Sequence, residues 1–328
     1  MLRLTDVRIN RIARRNVAEV LDSGQLSQGK FVQALEEKVA YVSGTAYAVA
    51  VSSATAGIQL LLAARGVQPD DEVVVPAFTF AATANAALAC GARLRVVDVT
   101  DDLTLPNADW GTWSIPVHIF GQKADGSAEN AIEDAAQTIG HELDEGVISF
   151  YGSKTIGAGE GGMVVTSDPD VALKIRLWRN AGSIETYEHH GWGLNYRMGE
   201  LAAAVALGQM ETLETALSVR KRNANRLIAS LGKHPVRTFT RLESTWHIFP
   251  IEVDNRDAVQ RELSALGVES KPIYPYTLGD LPHITSDDTP RARYAADHIL
   301  ALPVHEHLTI DDVDYIADAL ADCLARVT

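Results

Sequence analysis

A lysine stands directly behind an apolar run in Ser149-Phe150-Tyr151-Gly152-Ser153-Lys154. Lysine is rarely buried unless it is paired or reactive. A desolvated amine holds its proton less tightly and becomes a nucleophile, whereas the competing reading is an ordinary surface-loop lysine. Asp134, in Ile132-Glu133-Asp134-Ala135-Ala136-Gln137, also follows apolar residues, where a carboxylate either caps a helix or does chemistry. In Ser52-Ser53-Ala54-Thr55-Ala56-Gly57 the side chains are small. Backbone N–H groups and the Thr55 hydroxyl can there close on an anion at a helix N-terminus, although Ser or Thr before a helix is also a common N-cap. A glycine-rich stretch, Gly191-Trp192-Gly193-Leu194-Asn195-Tyr196-Arg197-Met198, opens a long helical pattern, with Asn195 read first as its cap.

These residues need elements to hold them. Ala48–Val51, Glu72–Val75 and Leu94–Val99 read as strands, and Thr55–Arg65 and Ala81–Cys90 as helices stopped by Gly66 and Gly91. That βαβαβ rhythm predicts a parallel sheet with right-handed crossovers. Ser114–Ile119, Ala131–Asp134, Gly146–Tyr151 and Met163–Thr166 read as further strands. The segments between them are short and polar, and since parallel pairing takes a crossover of about a dozen residues, the helices there are expected to be short, missing or replaced by loops. Pro169 starts a helix to Trp178, and Met198 to about Leu231 reads as nearly continuous helix. After it come a strand (Trp246–Val253), a helix (Arg256–Leu266), a short strand near Val268–Lys271 and a last helix (Ile310–Ala325). The division expected is a large domain over 1–212 and a small α+β domain over 213–328, with chemistry beyond the carboxyl ends of the strands.

Several other readings fall away. Gly157, Gly159 and Gly162 match G-x-G-x-x-G, but the run leads into a strand rather than a helix, so a dinucleotide fingerprint is rejected. Ser27-Gln28-Gly29-Lys30 matches S-x-x-K without its partner motifs. No metal is expected: Cys90 and Cys323 lie far apart, and His189-His190, His305 and His307 have no carboxylate at zinc spacing and read as surface or substrate-loop residues. His247 and His283 belong to the C-terminal part and could approach substrate, with nothing to choose between them.

The chain has 328 residues, 29 basic and 43 acidic, for a net charge of −14, which argues against nucleic acid or an anionic membrane as partner. Apolar residues make up 46%, enough for a sizeable core, and no run of roughly 18 apolar residues is present. Arg3, Arg8, Arg11, Arg14 and Arg15 resemble an arginine-rich transit peptide, but few serines accompany them and Asp6 interrupts; a solvated first helix in a cytoplasmic protein is expected.

Together, an anion cradle, an aspartate and a strand-end lysine are what pyridoxal phosphate requires: an amine to join its aldehyde, a carboxylate to keep its pyridine nitrogen protonated, and a helix end for its phosphate. The stretches Val51–Gly57, Asp71–Asn85, Pro116–Gln122, Glu133–Gln137, Ser149–Gly162 and Asn195–Ala204 resemble, in order, the DegT/DnrJ/EryC1/StrS family of pyridoxal-phosphate sugar aminotransferases. The resemblance implies an α/β fold of fold type I, a large domain with a mostly parallel sheet and a smaller C-terminal α+β domain. It makes Lys154 the Schiff-base lysine and proton shuttle, and Asp134 the carboxylate at the pyridine nitrogen. Gln137 becomes the amide near the ring hydroxyl, Phe80 the aromatic on the ring face, and Ala54, Thr55 and Ser149 the phosphate contacts. Asn195 would reach the neighbouring subunit's site, which implies a homodimer with shared active sites.

The implied reaction passes an amine from a donor, usually glutamate, to a keto-sugar, typically linked to a nucleoside diphosphate. A sugar dehydratase or an amino-cyclitol transaminase on the same scaffold is the alternative enzyme reading. Relatives that remove a hydroxyl carry histidine in place of Lys154. A regulatory binding module is the third, against which stand Lys154, Asp134 and Asn195 together. The chain is short for the family: Thr100–Trp113, Lys123–Asn130 and His141–Gly146 lack most of the usual helices, so partner contacts or bulky side chains are expected to cover the sheet. Ala181 and Gln25 stand where an aromatic or histidine, and a tryptophan, are common.

Overall fold

The first two βα units form where the valine-rich strands and the glycine stops predict them. β1 (Tyr47–Val51) leads into a helix (Ala54–Arg65) whose first turn is capped by the Ser53 side chain accepting from Ala56 N at 3.1 Å and whose end is turned by Gly66 at φ 93°. The whole structure is a computed structural model that describes residues 1–124, 130–185, 187–239 and 243–327. Its helices are α1 (Arg11–Ser23), α2 (Lys30–Ser43), α3 (Ala54–Arg65), α4 (Ala81–Ala89), α5 (Pro169–Trp178), α6 (Glu200–Met210), α7 (Leu213–Leu231), α8 (Arg256–Ala265), α9 (Pro290–His298) and α10 (Ile310–Val327). The further strands are β2 (Glu72–Pro76), β3 (Arg93–Val97), β4 (Trp113–Ser114), β5 (Glu133–Ala135), β6 (Gly146–Ser149), β7 (Gly162–Thr166), β8 (Ser183–Glu185), β9 (Glu188–His189), β10 (Arg237–Thr238), β11 (Phe249–Glu252) and β12 (Ile299–Leu302).

The large sheet is made of a three-stranded group in the order β3-β2-β4 and a four-stranded group in the order β1-β7-β6-β5. Single parallel bridges, Ser114 with Ala131 and Val117 with Asp134, join them. β7 runs antiparallel to β1 and β6, and the remaining pairings are parallel. The fold is α/β with a mostly parallel sheet, as expected. The simple succession of neighbouring strands is not: β1 lies at the far edge from β2 and β3, held by β7. β7 can follow β6 antiparallel after a loop, which is how the chain manages without a crossover helix there.

Other expectations need correction. The strand predicted over Ser114–Ile119 shrinks to β4, because Pro116 has no N–H to give a ladder; the chain then makes one 3-10 turn at Ile119–Gly121. The helix predicted from Met198 to Leu231 is two helices, parted at Glu211 and Thr212, where the Thr212 hydroxyl donates to Gln209 O at 3.0 Å. The strand near Val268–Lys271 is reduced to single bridges, Leu2 with Val268 and Lys271 with Ala301. The strand at Trp246–Val253 is the shorter β11, and α9 and β12 were not foreseen. The glycine run does lead into a strand, β7.

No helix lies among residues 100–113 or 141–146, while 125–129, within the stretch expected to lack the next helix, are outside the described residues. Bulky side chains do part of the covering: Leu105 packs with Val74, Val97 and the half-buried Trp110 against the sheet, and Leu143 and Ile139 join the core beside β6. In the same cluster as Leu143 and Ile139, α1 and α6 press together so closely that a Cβ on Gly208 would stand 2.4 Å from Ala13 N. The C-terminal strands and helices carry an apolar cluster of their own, around Leu227, Phe249, Leu263, Leu300 and Leu320. No described helix is long and apolar enough to cross a membrane.

Candidate active site

The loops that leave β1, β2 and β6, together with β5 itself, surround a cavity of about 550 Å³. Ala54, Thr55, Phe80, Asp134, Gln137, Ser149 and Lys154, seven of the eight residues singled out from sequence, line it. Asn195 does not. It is exposed, and its backbone bridges to Asn180.

Lys154 sits on a tight loop after β6. Its N–H donates to Tyr151 O at 2.8 Å, while Gly152 N and Ala158 N close the loop on Gly159 O and Phe150 O. Burial pushes its ammonium down to about 8, against the opposing pull of Asp134's charge. A sizeable fraction of free amine is thus present near neutral pH, which a nucleophile requires. Asp134 is 5% exposed and doubly held: Thr83 Oγ1 donates to Oδ2 at 2.7 Å and Ala136 N to Oδ1 at 3.1 Å. Thr79 hydrogen-bonds Thr83 in turn at 3.1 Å, so the carboxylate is oriented by a chain of hydroxyls from the start of α4.

The Gln137 amide is fixed at both ends. Its Oε1 accepts from Phe120 N and its Nε2 donates to Tyr274 Oη, each at 2.6 Å. Burial, and then Asp134's charge, raise the Tyr274 phenol well above its ordinary value, so it stays neutral. Phe80 is 55% exposed at the cavity mouth, its ring tilted against Tyr274 with centroids 5.8 Å apart. Ser53 being the cap of α3, the N–H groups at the start of that helix point toward the cavity with its positive dipole end.

That approach depends on Gly162. A Cβ there would stand 2.4 Å from Ser53 C and 2.5 Å from Ala54 N, both backbone atoms that cannot swing aside. Gly162→Ala is expected to displace the first turn of α3, to cost about 1–3 kcal/mol in denaturant unfolding, and to weaken any anion held at Ala54 and Thr55. Wild-type phosphate affinity in that variant would count against the cradle.

Tyr274, Thr83, Glu160 and His247 also face the cavity; of these the sequence points only to His247, as one of two histidines able to approach substrate. For Tyr274 a signal existed in Pro272-Ile273-Tyr274-Pro275-Tyr276, aromatics pinned between prolines. For Thr83, inside an alanine-rich helix, there was none. His283 bonds Asn85 at 2.9 Å, outside the cavity lining. His305, expected on the surface, is 4% exposed, with Nε2 3.2 Å from Arg3 O, because the N-terminal segment packs over it. Ala181 and Gln25 are exposed and do not line the cavity. Among the described residues no group of three or more metal-ligating side chains gathers.

A lysine with a lowered pKa, a buried carboxylate and a helix N-terminus in one cavity define a pyridoxal-phosphate-dependent enzyme on an aminotransferase fold. The chain belongs to the DegT/DnrJ/EryC1/StrS aminotransferase family, whose sequence pattern matches residues 8–321, and is a sugar aminotransferase of that class. It is 32% identical to the GDP-perosamine synthase of Caulobacter vibrioides over 95% of each chain. It is 33% identical to a UDP-N-acetyl-3-dehydro-alpha-D-glucosamine 3-aminotransferase of Acidithiobacillus ferrooxidans, over 93% of this chain and 91% of that one. Among solved structures it is similar to Streptomyces venezuelae DesV in complex with a ketimine intermediate. The TM-score there is 0.91, with 30% identity over 96% of this chain and 95% of that one.

Proposed function

We propose that the protein binds pyridoxal phosphate in this cavity and moves an amino group from glutamate to a keto-sugar linked to a nucleoside diphosphate. The observation that carries the reading is the pairing of Lys154, an amine lowered to about 8, with the buried, doubly hydrogen-bonded Asp134 in one cavity. The relatives' names support the acceptor class, since they speak of GDP- and UDP-linked sugars. The cavity suits the cofactor on its own terms: an available amine, a fixed carboxylate, and a helix end kept free of side chains by Gly162.

When bound, pyridoxal phosphate supplies an aldehyde carbon for amines and a ring that takes up the electron pair left when an adjoining C–H loses its proton. Lys154 would hold the cofactor through Nζ and, when free, would carry a proton on that atom. Asp134 keeps the pyridine N–H charged, and Thr83 stops the carboxylate from rotating away. Phe80 would cover the ring face, Gln137 would meet the ring oxygen, and Ala54, Thr55 and Ser149 would hold the phosphate. Tyr274, anchored on Gln137, narrows the water-accessible side.

Asn195, exposed and away from the chain's own cavity, reaches the phosphate in a second copy's site, so the enzyme works as a homodimer with shared sites. The break after Met210 and the separate C-terminal apolar cluster support a division into 1–212 and 213–328. Asn195→Ala is expected to keep the helical content and lose cofactor affinity about tenfold, the worth of one hydrogen bond to a charged group. Mixing it with a Lys154→Ala chain should restore activity to a fraction of dimers, and sedimentation of a lone active monomer would refute the shared site.

The function itself is tested by titrating the coloured holoenzyme with glutamate. The visible band should bleach, and a panel of nucleoside-diphosphate keto-sugars should restore it. A band that no common amino acid bleaches would overturn transamination in favour of dehydration.

A further inference from the structure

His247 reaches the cavity from the stretch before β11 and is 7% exposed. Its backbone is clamped: Arg220 of α7 donates to the carbonyls of Trp246 and His247 at 3.2 and 3.1 Å, and pairs with Glu306 at 2.7 Å. The ring itself is unclaimed. Nδ1 is sealed from solvent with no hydrogen-bond partner. Among the described residues none bonds Nε2 either, and Nε2 is not sealed, so it is the nitrogen the cavity meets.

Two considerations set the ring's state. A proton on Nδ1 would be a buried donor without an acceptor, which costs more than a bare lone pair in the same place. The single proton of a neutral imidazole therefore belongs on Nε2. The ring is also neutral, because burial, then the positive charges of Lys154 and Arg220, hold its pKa well below the ordinary histidine value. Of the other ionisable groups, Glu306 is engaged by Arg220, and Asp134, Tyr274, Tyr151 and Glu160 line the same cavity, none of them hydrogen-bonded to the ring.

We propose that His247 is a catalytic hydrogen-bond donor, through Nε2–H, to the carbonyl oxygen of the keto substrate as that carbon receives the amine. The inference rests on the transamination reading above. As the C–N bond forms, the C=O π pair moves onto oxygen; the oxygen then leaves as water with two protons that come from the amine nitrogen. His247 transfers no proton and needs none back. It stabilises negative charge on the oxygen while the bond orders change, and a fixed, neutral donor in a water-poor site does so without reorganising.

The test uses the holoenzyme converted by glutamate to its aminated form. Adding 2-oxoglutarate, itself a ketone, should bring back the visible band. His247→Phe, which keeps a ring but has no donor, should slow that return about tenfold, and His247→Asn, which keeps a side-chain N–H, should stay within about threefold of wild type. A second readout is independent of turnover. In the 15N spectrum of the histidine-labelled holoenzyme, the signal missing from His247→Asn should be a neutral ring protonated on Nε2, unchanged from about pH 6 to 8. An Nδ1-protonated ring, titration within that window, equal slowing in both variants or no slowing in His247→Phe would each overturn the proposal. A wild-type protein that never takes up colour, or that glutamate does not bleach, would overturn the transamination reading instead, and the tautomer would still decide the state of the ring.

Discussion

Lys154→Ala is expected to give a folded protein that stays colourless with pyridoxal phosphate and whose transamination falls by on the order of 10⁴-fold or more, since the same amine serves as covalent anchor and proton carrier. The physical ground for intact folding is the state of the wild-type side chain. Its ammonium is pushed down to about 8 by burial, so the chain bears a desolvation cost that alanine lacks. Denaturant midpoints of the apo-proteins should therefore be equal, or slightly higher in the variant. Lys154→Arg separates charge from nucleophilicity: a guanidinium stays protonated in proteins and should fail as fully as alanine. The wild-type rate of colour formation should climb as pH rises through about 8, because the unprotonated amine is the reacting form and its share grows in that direction. Persistence of the band in Lys154→Ala would show that another amine holds the cofactor.

Asp134→Asn keeps the shape and removes the charge. Thr83 Oγ1 can still donate to the amide oxygen, so the cofactor should bind and stability should change by no more than about 1 kcal/mol. Turnover should fall by about 10²–10³-fold, the usual loss when a preorganised electrostatic partner is removed. Two side effects follow from the charges that Asp134 influences. Lys154 should drop below about 8, since Asp134 is what holds it up, and Tyr274 should ionise more easily, since the carboxylate opposes its phenolate. Single-turnover kinetics with glutamate and pH titration of colour formation measure both. Near-normal turnover in Asp134→Asn would remove the carboxylate from the mechanism. Thr83→Val, which frees the carboxylate without discharging it, should give a smaller loss.

The residues that touch the cavity from its N-terminal side were legible because each follows its own strand within a few positions. Asp134 lies within β5 and Lys154 on the loop that follows β6, and the small residues of Ser52–Gly57 bridge β1 and α3. Neighbour-scale physics governs such positions: a period of two in the strand, a period near four in the helix, a hydroxyl at the cap and a glycine at the stop. The same local rules placed α5 from Pro169 to Trp178 and turned the glycine run at 157–162 toward a strand instead of a nucleotide loop.

What the local rules lack is any term for distant partners. Glu200 is read locally as a first-turn acid of α6, yet its buried carboxylate accepts from Gly29, Phe31 and Val32, capping α2 across 168 to 171 positions. The seating of β1 beside β7, the splitting of a helical pattern at Glu211 and Thr212, and the arrival of His247 and Tyr274 opposite Lys154 are of that kind. Periodicity determines which face of a segment seeks burial. Only packing decides which other segment supplies the burial, and a buried imidazole, phenol or ion pair acquires its protonation state from those neighbours once they close around it.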